Sequence, residues 1–405
     1  MMYLARSGSW LSLGHIVSVV TTLGLSIFFA NFLPKETYGT YKYVLSIIGI
    51  LTITTLPGVN TYLAQAVARG FEKTIYKALK LKITYGLLGA MLAFGGSFYY
   101  YYNDNHTLSL SLLIAGLFIP FMDSAGIYNV YLQSKKLFKA SISYFSFNQI
   151  VTSLILILTI VLSDNLFIIL LAYFGSWTFL RTITFIQALR KHPPSGEIDN
   201  NISSYGLHIS VAGLLGIIAL HIDSLLLFHH FGPAEVALYA FALAPVEQIR
   251  GMYKNISPLS LPKLAQRSCK EINKILAPRL FFLLLLGTSI AGIYIVLAPL
   301  FFQLLFPQYI EAVLFSQLLS GLIALSLPVA FFASIMQSKI SSMPRSWFYW
   351  GTLQYAFLII SVIIFIPLYG IYGIIISKYI ALFVGAIISV WQWKLLTFNE
   401  LKAES

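Results

Sequence analysis

The residues with chemical reach in this sequence are charges set inside long apolar runs. Asp123, Arg181, His221, Asp223, Glu247, Arg250 and Lys378 each fall within such a run, and Lys42, Lys254, His15 and His208 lie in or near the ends of others. An unpaired charge facing hydrocarbon costs at least about 2.5–3.5 kcal/mol at the bilayer centre. These side chains must therefore meet water or a partner. In one arrangement they line a water-filled cavity, where Arg181, Arg250 and Lys378 attract an anionic group. Guanidinium suits phosphate there, because its planar fork donates two parallel hydrogen bonds. In the other they neutralise one another. Glu247 and Arg250 are three apart on one helix, and Asp123 could take Arg181. His15 and His208 read as interhelical hydrogen-bonders.

No catalytic constellation accompanies these charges, so the chain is not read as an enzyme. The sequence has no Gly-x4-Gly-Lys-Ser/Thr loop to cradle phosphates and no His-Glu-x-x-His or Cys-x-x-Cys metal spacing. It calls for no cofactor. The single cysteine, Cys269, excludes an internal disulfide and reads as an inert thiol. Asn105-His-Thr107 and Asn255-Ile-Ser257 match glycosylation sequons but lie too close to the expected membrane to be read as used.

The elements that must position the charges follow from composition. Hydrophobic residues make up 58% of the 405 residues and charged residues 10%, with a mean hydropathy of +0.81. Soluble chains carry about 25% charged residues. The apolar runs span about twenty residues each, which suits membrane helices rather than barrel strands of about ten. They predict twelve spans, at about 9–33, 39–67, 83–102, 108–132, 141–162, 166–189, 205–229, 235–257, 280–304, 311–337, 346–366 and 373–393. The first is too long for a signal-peptide core and reads as an uncleaved helix.

Of the 26 Lys and Arg residues, twenty fall before the first span or after the even-numbered ones, and the opposite loops hold only Lys35. That asymmetry predicts both termini in the cytoplasm and a place in the cytoplasmic membrane. It also accounts for the net charge of +12 without nucleic acid. Lys73, Lys77 and Lys80 share one helical face, which reads as ordinary topology or a face on anionic headgroups. Tyr99–Tyr102 read as an interfacial belt. Pro57-Gly58, Pro120, Pro245 and Pro328 break the backbone ladder within spans and permit bends.

The polar stretch Arg190–Ser204, with Pro193, Pro194 and Gly196, sits at mid-chain and reads as a hinge. It divides a six-helix lobe, 1–189, from a second, 205–405. A second basic segment, Pro262–Arg279, reads as a cytoplasmic loop. The loop Phe32-Leu-Pro34-Lys-Glu36-Thr-Tyr38 recurs as Phe231-Gly-Pro233-Ala-Glu235-Val-Ala-Leu-Tyr239, close to half the chain later. Six spans per half make these parallel repeats about an axis along the membrane normal.

Twelve spans in two parallel sixes, Leu33-Pro-Lys-Glu36…Tyr38-Gly-Thr-Tyr41, Leu56-Pro57-Gly58, and His221-Ile-Asp223…Gly232-Pro-Ala-Glu235…Tyr239 together resemble the polysaccharide-biosynthesis branch of the MOP exporter superfamily. The nearest likeness is to its Wzx-type O-antigen and capsule-repeat flippases. The resemblance implies an all-α membrane fold with two lobes about a cationic cavity. It also implies flipping of polyprenyl-diphosphate-linked oligosaccharide by alternating access, with coupling to H+ or Na+. Membrane lipids, polysaccharide polymerase and glycosyltransferases are the implied partners, and nucleic acid is not. The two further C-terminal spans of lipid II flippases are absent from the sequence, which disfavours peptidoglycan precursor as cargo.

Two rival readings stand beside this one. A drug or cation antiporter of the same superfamily would carry its coupling ion on Asp123 or Asp223. The visible basic set argues against it. A membrane glycosyltransferase or polymerase would need a large outer loop bearing catalytic groups, and the predicted outer loops are only a few residues long.

Overall fold

In the computed structural model, residues 2–253, 264, 266–339 and 347–404 are described. Lys254, Lys263, Arg345, the sequon at Asn255 and part of the spans read at 235–257 and 346–366 lie outside them, as do the side chains of Arg6 and Lys402. The described residues form helices joined by short turns.

The chain divides into two compact units, Met1–Leu225 and Leu226–Ser405. The first unit contains α1 (Met2–Phe32), α2 (Lys35–Leu51), α3 (Gly58–Ala68), α4 (Thr74–Tyr102), α5 (His106–Ala125), α6 (Tyr128–Ser134), α7 (Phe138–Leu162), α8 (Leu166–Lys191), α9 (Ile202–Ala212) and most of α10 (Leu214–Phe231). Within it α4 packs on α5, α1 on α7, α5 on α8 and α3 on α9. The second unit contains α11 (Pro233–Tyr253), α12 (Cys269–Leu305), α13 (Ala312–Leu319), α14 (Gly321–Ser338), α15 (Trp347–Tyr369) and α16 (Ile371–Glu404). There α15 packs on α16, α12 on α14, and α11 on both α13 and α14.

Packing inverts the pattern of a water-soluble protein. Met91, Leu92, Phe98, Leu158, Ile293 and Val296 are exposed, as lipid-facing side chains are. The α4–α5 interface instead buries Gly86, Gly89, Ala90, Ala93 and Ser97 against Ser109, Ala115, Gly116 and Pro120. Small residues let helix backbones approach where lipid provides no hydrophobic drive between them. The Ser97 hydroxyl donates to the Ser109 carbonyl at 2.8 Å.

Helix starts follow local chemistry. The Asn105 side chain accepts the Leu108 N–H, and Asn165 accepts that of Phe167. Ser268 and Glu271 form a reciprocal capping box at the start of α12. This start moves most of the basic stretch read as the loop 262–279 into the helix, with Cys269 buried.

Among the described residues, ten helices are long and apolar enough to cross a membrane, and the bent pair α2–α3 makes eleven. Twelve were expected; α11, at the expected span 235–257, is a helix but falls outside this set, because Glu235, Glu247, Gln248 and Arg250 dilute its apolar content. The bend between α2 and α3 is 46°. A short 3-10 turn, Thr52–Thr55, leads into Leu56, whose left-handed φ of 54° precedes Pro57. A residue before proline is pushed out of the helical region, so the ladder breaks where Leu56-Pro57-Gly58 predicts.

The segment 190–204, expected to act as a hinge, is fastened to the first unit. Asp199 pairs with Arg69 at 2.9 Å and accepts the Tyr62 hydroxyl at 2.8 Å, while its own N–H donates to Thr74 Oγ1 at 2.8 Å. Glu72 accepts Lys135 Nζ and both the N–H and hydroxyl of Ser195, each at 2.8 Å. Lys77, one of the three lysines that share a helical face, donates to Asn200 Oδ1 at 3.0 Å. Beyond the segment, a Cβ at Gly206 would stand 2.7 Å from Val59 Cγ2, so the glycine is what lets α9 seat on α3. These contacts explain why compactness assigns 190–225 to the first unit rather than dividing the chain at the segment itself.

Both carboxylates of this brace lie below the ordinary range. For Asp199 the leading causes are hydrogen bonds from the Asn201 N–H and the Tyr62 hydroxyl. For Glu72 burial opposes ionisation and is outweighed by hydrogen bonds from Lys135 and Ser195. A depressed folded-state pKa means the unfolded chain takes up protons first. The stabilisation is therefore whole above about pH 4–5 and is lost as pH falls through the folded values. The wild type should lose more melting temperature between about pH 5 and pH 2 than the Asp199→Asn/Glu72→Gln variant. Equal acid sensitivity would show that the brace does not depend on these charges.

Candidate functional site

The α2–α3 break and a proline in α5 bring one charged cluster together in the first unit. Pro120 lies inside α5, where it removes a ladder hydrogen bond and bends the helix. Asp123 follows one turn later. Its Oδ2 accepts the Thr55 hydroxyl at 2.6 Å and faces Lys82 Nζ at 2.8 Å. Lys82 is wholly buried, whereas the Asp123 side chain is 33% exposed. Sequence reasoning counted Lys82 among the loop cations. Because α4 begins at Thr74, Lys82 instead lies more than two turns inside a span.

Arg181 adjoins this cluster. The pairing of Asp123 with Arg181 that the sequence left open gives way to Lys82, although the two remain within electrostatic reach. One Arg181 amino group donates to the Met122 carbonyl at 3.1 Å, and the guanidinium lies 4.3 Å from the Trp177 ring centroid. A planar cation over an indole face is held without consuming its in-plane donors. Next to it runs a neutral polar chain. The Asn148 amide donates to the Tyr128 hydroxyl at 3.1 Å, and the Thr184 hydroxyl donates to Asn148 Oδ1 at 2.9 Å.

A second charged group in this unit joins α2 to α10. His221 lies within electrostatic reach of Asp223 and Lys42. Its imidazole fits against Gly49, where an added Cβ would overlap the ring. Asp223 is buried, and its Oδ1 accepts the Ser224 N–H at 2.8 Å. His15 is half-buried, and its Nε2 finds no hydrogen-bond partner among the described residues. His208 is exposed.

In the second unit Arg250 and Glu247 pair on α11, as their spacing allows. Arg250 Nε also donates to Ser326 Oγ on α14 at 2.9 Å. The Tyr379 hydroxyl, within electrostatic reach of Arg250, donates to the Leu318 carbonyl at 2.7 Å. Lys378 Nζ lies 5.9 Å from the ring centroid of Tyr239, the repeated tyrosine of the 231–239 loop. The predicted residues thus form three groups: Asp123 with Arg181, His221 with Asp223, and Glu247 with Arg250, while Lys378 stands on α16. Lys82, Thr55, Trp177 and Ser326 were not foreseen. Among the described residues, no group of His, Cys, Asp and Glu is arranged to hold a metal ion.

The fold has solved counterparts. The lipid II flippase MurJ, in an inward closed conformation, superposes with a TM-score of 0.66 at 15% identity, covering 96% of this chain and 90% of that one. An outward-facing multidrug resistance MATE family transporter of the MOP superfamily gives 0.59 at 13% identity, covering 96% of both. A MOP superfamily transporter from Pyrococcus furiosus gives 0.56 at 14% identity, covering 97% and 96%. At these identities the likeness establishes the fold, which is that of the MOP transporters. No curated protein matches in sequence. Residues 4–266 match the family described as polysaccharide biosynthesis protein, and the chain belongs to that family.

Proposed function

We propose that this protein is a secondary flippase that moves polyprenyl-diphosphate-linked oligosaccharide across the cytoplasmic membrane for assembly of a cell-surface polysaccharide, such as an O-antigen. The observation that carries this reading is the family match over residues 4–266, on a fold shared with a flippase for another lipid-linked cargo. The side-chain chemistry agrees. Arg181 has a backbone carbonyl and an indole face as partners rather than a carboxylate, which leaves donors for a diphosphate. Arg250 shares its guanidinium between Glu247 and Ser326, and Lys378 supplies a point charge. Diphosphate is the part of the cargo that most needs compensation in a low dielectric, and arginine provides it bidentately.

In this reading both termini are cytoplasmic, and two six-helix lobes alternate access, with the brace at 190–204 held by the first. Transport draws on an H+ or Na+ gradient. Glycosyltransferases act before it and polymerase after it. The rival, an ion-coupled drug or cation antiporter, is favoured by the likeness to MATE transporters and by the His221–Asp223 group. The two separate on deletion. Loss of a flippase leaves lipid-linked glycan on the cytoplasmic leaflet, and loss of an antiporter does not.

Two further outcomes follow. Arg181→Ala/Arg250→Ala should abolish glycan export with normal amounts of protein in the membrane, and full export by that variant would reject the assignment. In a Cys269→Ser background, Asn103→Cys should react with a membrane-impermeant maleimide added to intact cells, and Lys136→Cys only after the membrane is opened. The reverse pattern would invert the topology.

A further inference from the structure

Three partners compete for the cluster beside the α2–α3 break, and the winning pair has a consequence for Arg181. Asp123 places one oxygen, Oδ2, against both Thr55 and Lys82. Lys82 is 0% exposed, and its ammonium finds no further acceptor among the described residues. Arg181 reaches the same turn of α5 from α8, but takes the Met122 carbonyl, one residue before Asp123. The Asp123 carboxylate and that guanidinium lie within electrostatic reach of each other. A fork facing a carboxylate forms the strongest pair available to it, so without Lys82 Asp123 would turn to Arg181.

We propose that Lys82 is a positioning residue for anion binding. By holding Asp123 with Thr55, it keeps the Arg181 guanidinium from being claimed by the carboxylate and open to a phosphate-bearing ligand. This rests on the reading of Arg181 as an anion contact. Lys82 itself touches no ligand, since it is buried behind Asp123. The arrangement also fixes local charge. The cluster of Lys82, Asp123 and Arg181 carries a net single positive charge, contributed by the arginine. Removing the lysine charge would leave that cluster neutral and turned on itself.

The test is equilibrium binding of farnesyl diphosphate to the purified full-length protein in detergent, with melting temperature as a check on folding. Arg181→Ala should weaken binding about tenfold or more. Lys82→Gln, which keeps a donor for Asp123 but not the charge, should weaken it comparably. Adding Arg181→Ala to Lys82→Gln should then cost nothing further. Lys82→Met/Asp123→Asn removes both charges of the pair, escapes the stranded-carboxylate penalty and should restore affinity toward wild type, as should Lys82→Arg.

A purely structural ion pair predicts otherwise. Lys82→Gln would lower the melting temperature while the folded fraction binds normally, and Arg181→Ala would keep its full effect in that background. That result overturns the proposal. If Lys82→Gln does not fold, failure of Lys82→Met/Asp123→Asn to bind when it is folded does the same. Wild-type binding that Arg181→Ala leaves unchanged, or no wild-type binding at all, removes the reading of Arg181 and the proposal with it.

Discussion

A charge inside a membrane bundle has to be matched, and the described parts of this structure are organised around how that is done. Lys82 is the clearest case. A lysine with no exposed surface is tolerable because a carboxylate lies 2.8 Å away, and that carboxylate is oriented by Thr55. Breaking such a buried pair by removing one member costs about 3–5 kcal/mol. The pair therefore constrains three segments at once: the end of the 3-10 turn, the third turn of α4 and the turn of α5 after Pro120. Arg181 sits beside it under a different regime, held by a carbonyl and an indole. The difference separates a charge spent on the fold from one with donors to spare.

Much of this was legible in the sequence, for a physical reason. Lipid requires each spanning segment to satisfy its own backbone and show apolar side chains outward, so spans emerge as continuous runs. Leu56-Pro57-Gly58 located the break between α2 and α3, and the Glu247–Arg250 spacing located a pair. Lys82 was hidden because Lys73, Lys77 and Lys80 precede it and all read as one basic loop. Yet those three share a helical face, and at 100° per residue Lys82 falls on the opposite one. That offset was the available signal. The 190–204 segment was hidden differently. Prolines, glycine and polar residues describe a flexible linker equally well whether or not Arg69, Tyr62, Glu72 and Lys77 await it, and such partners are long-range.

The internal repeat reaches below the loop motif that revealed it. Tyr38 carries the Lys42 ammonium 5.8 Å from its ring centroid, and Tyr239 carries Lys378 at 5.9 Å. The lysines come from different places: Lys42 lies one turn along the same helix, whereas Lys378 arrives from α16. What recurs is an aromatic face in contact with a cation, not the residue that supplies it. A short sequence match could detect the tyrosine and the turn before it but could not detect the cation, because the cation has changed helices.

The same conversion links bends to polar contacts. In the first half, the second span meets the fourth through Thr55 and Asp123, two residues before Pro57 and three after Pro120. In the second half, the second span meets the fourth through Arg250 and Ser326, five residues after Pro245 and two before Pro328. Each proline withholds a ladder hydrogen bond, which leaves a backbone carbonyl to be satisfied and a helix able to bend. A bend beside a polar contact is stable in one geometry only while that contact holds. In the second half Arg250 is itself the bridging group. In the first half the bridging carboxylate is secured by Lys82, and Arg181 is left outside the bridge. An arginine thus stands near each contact with unequal obligations: Arg250 is bound into the fold, and Arg181 is held at its edge.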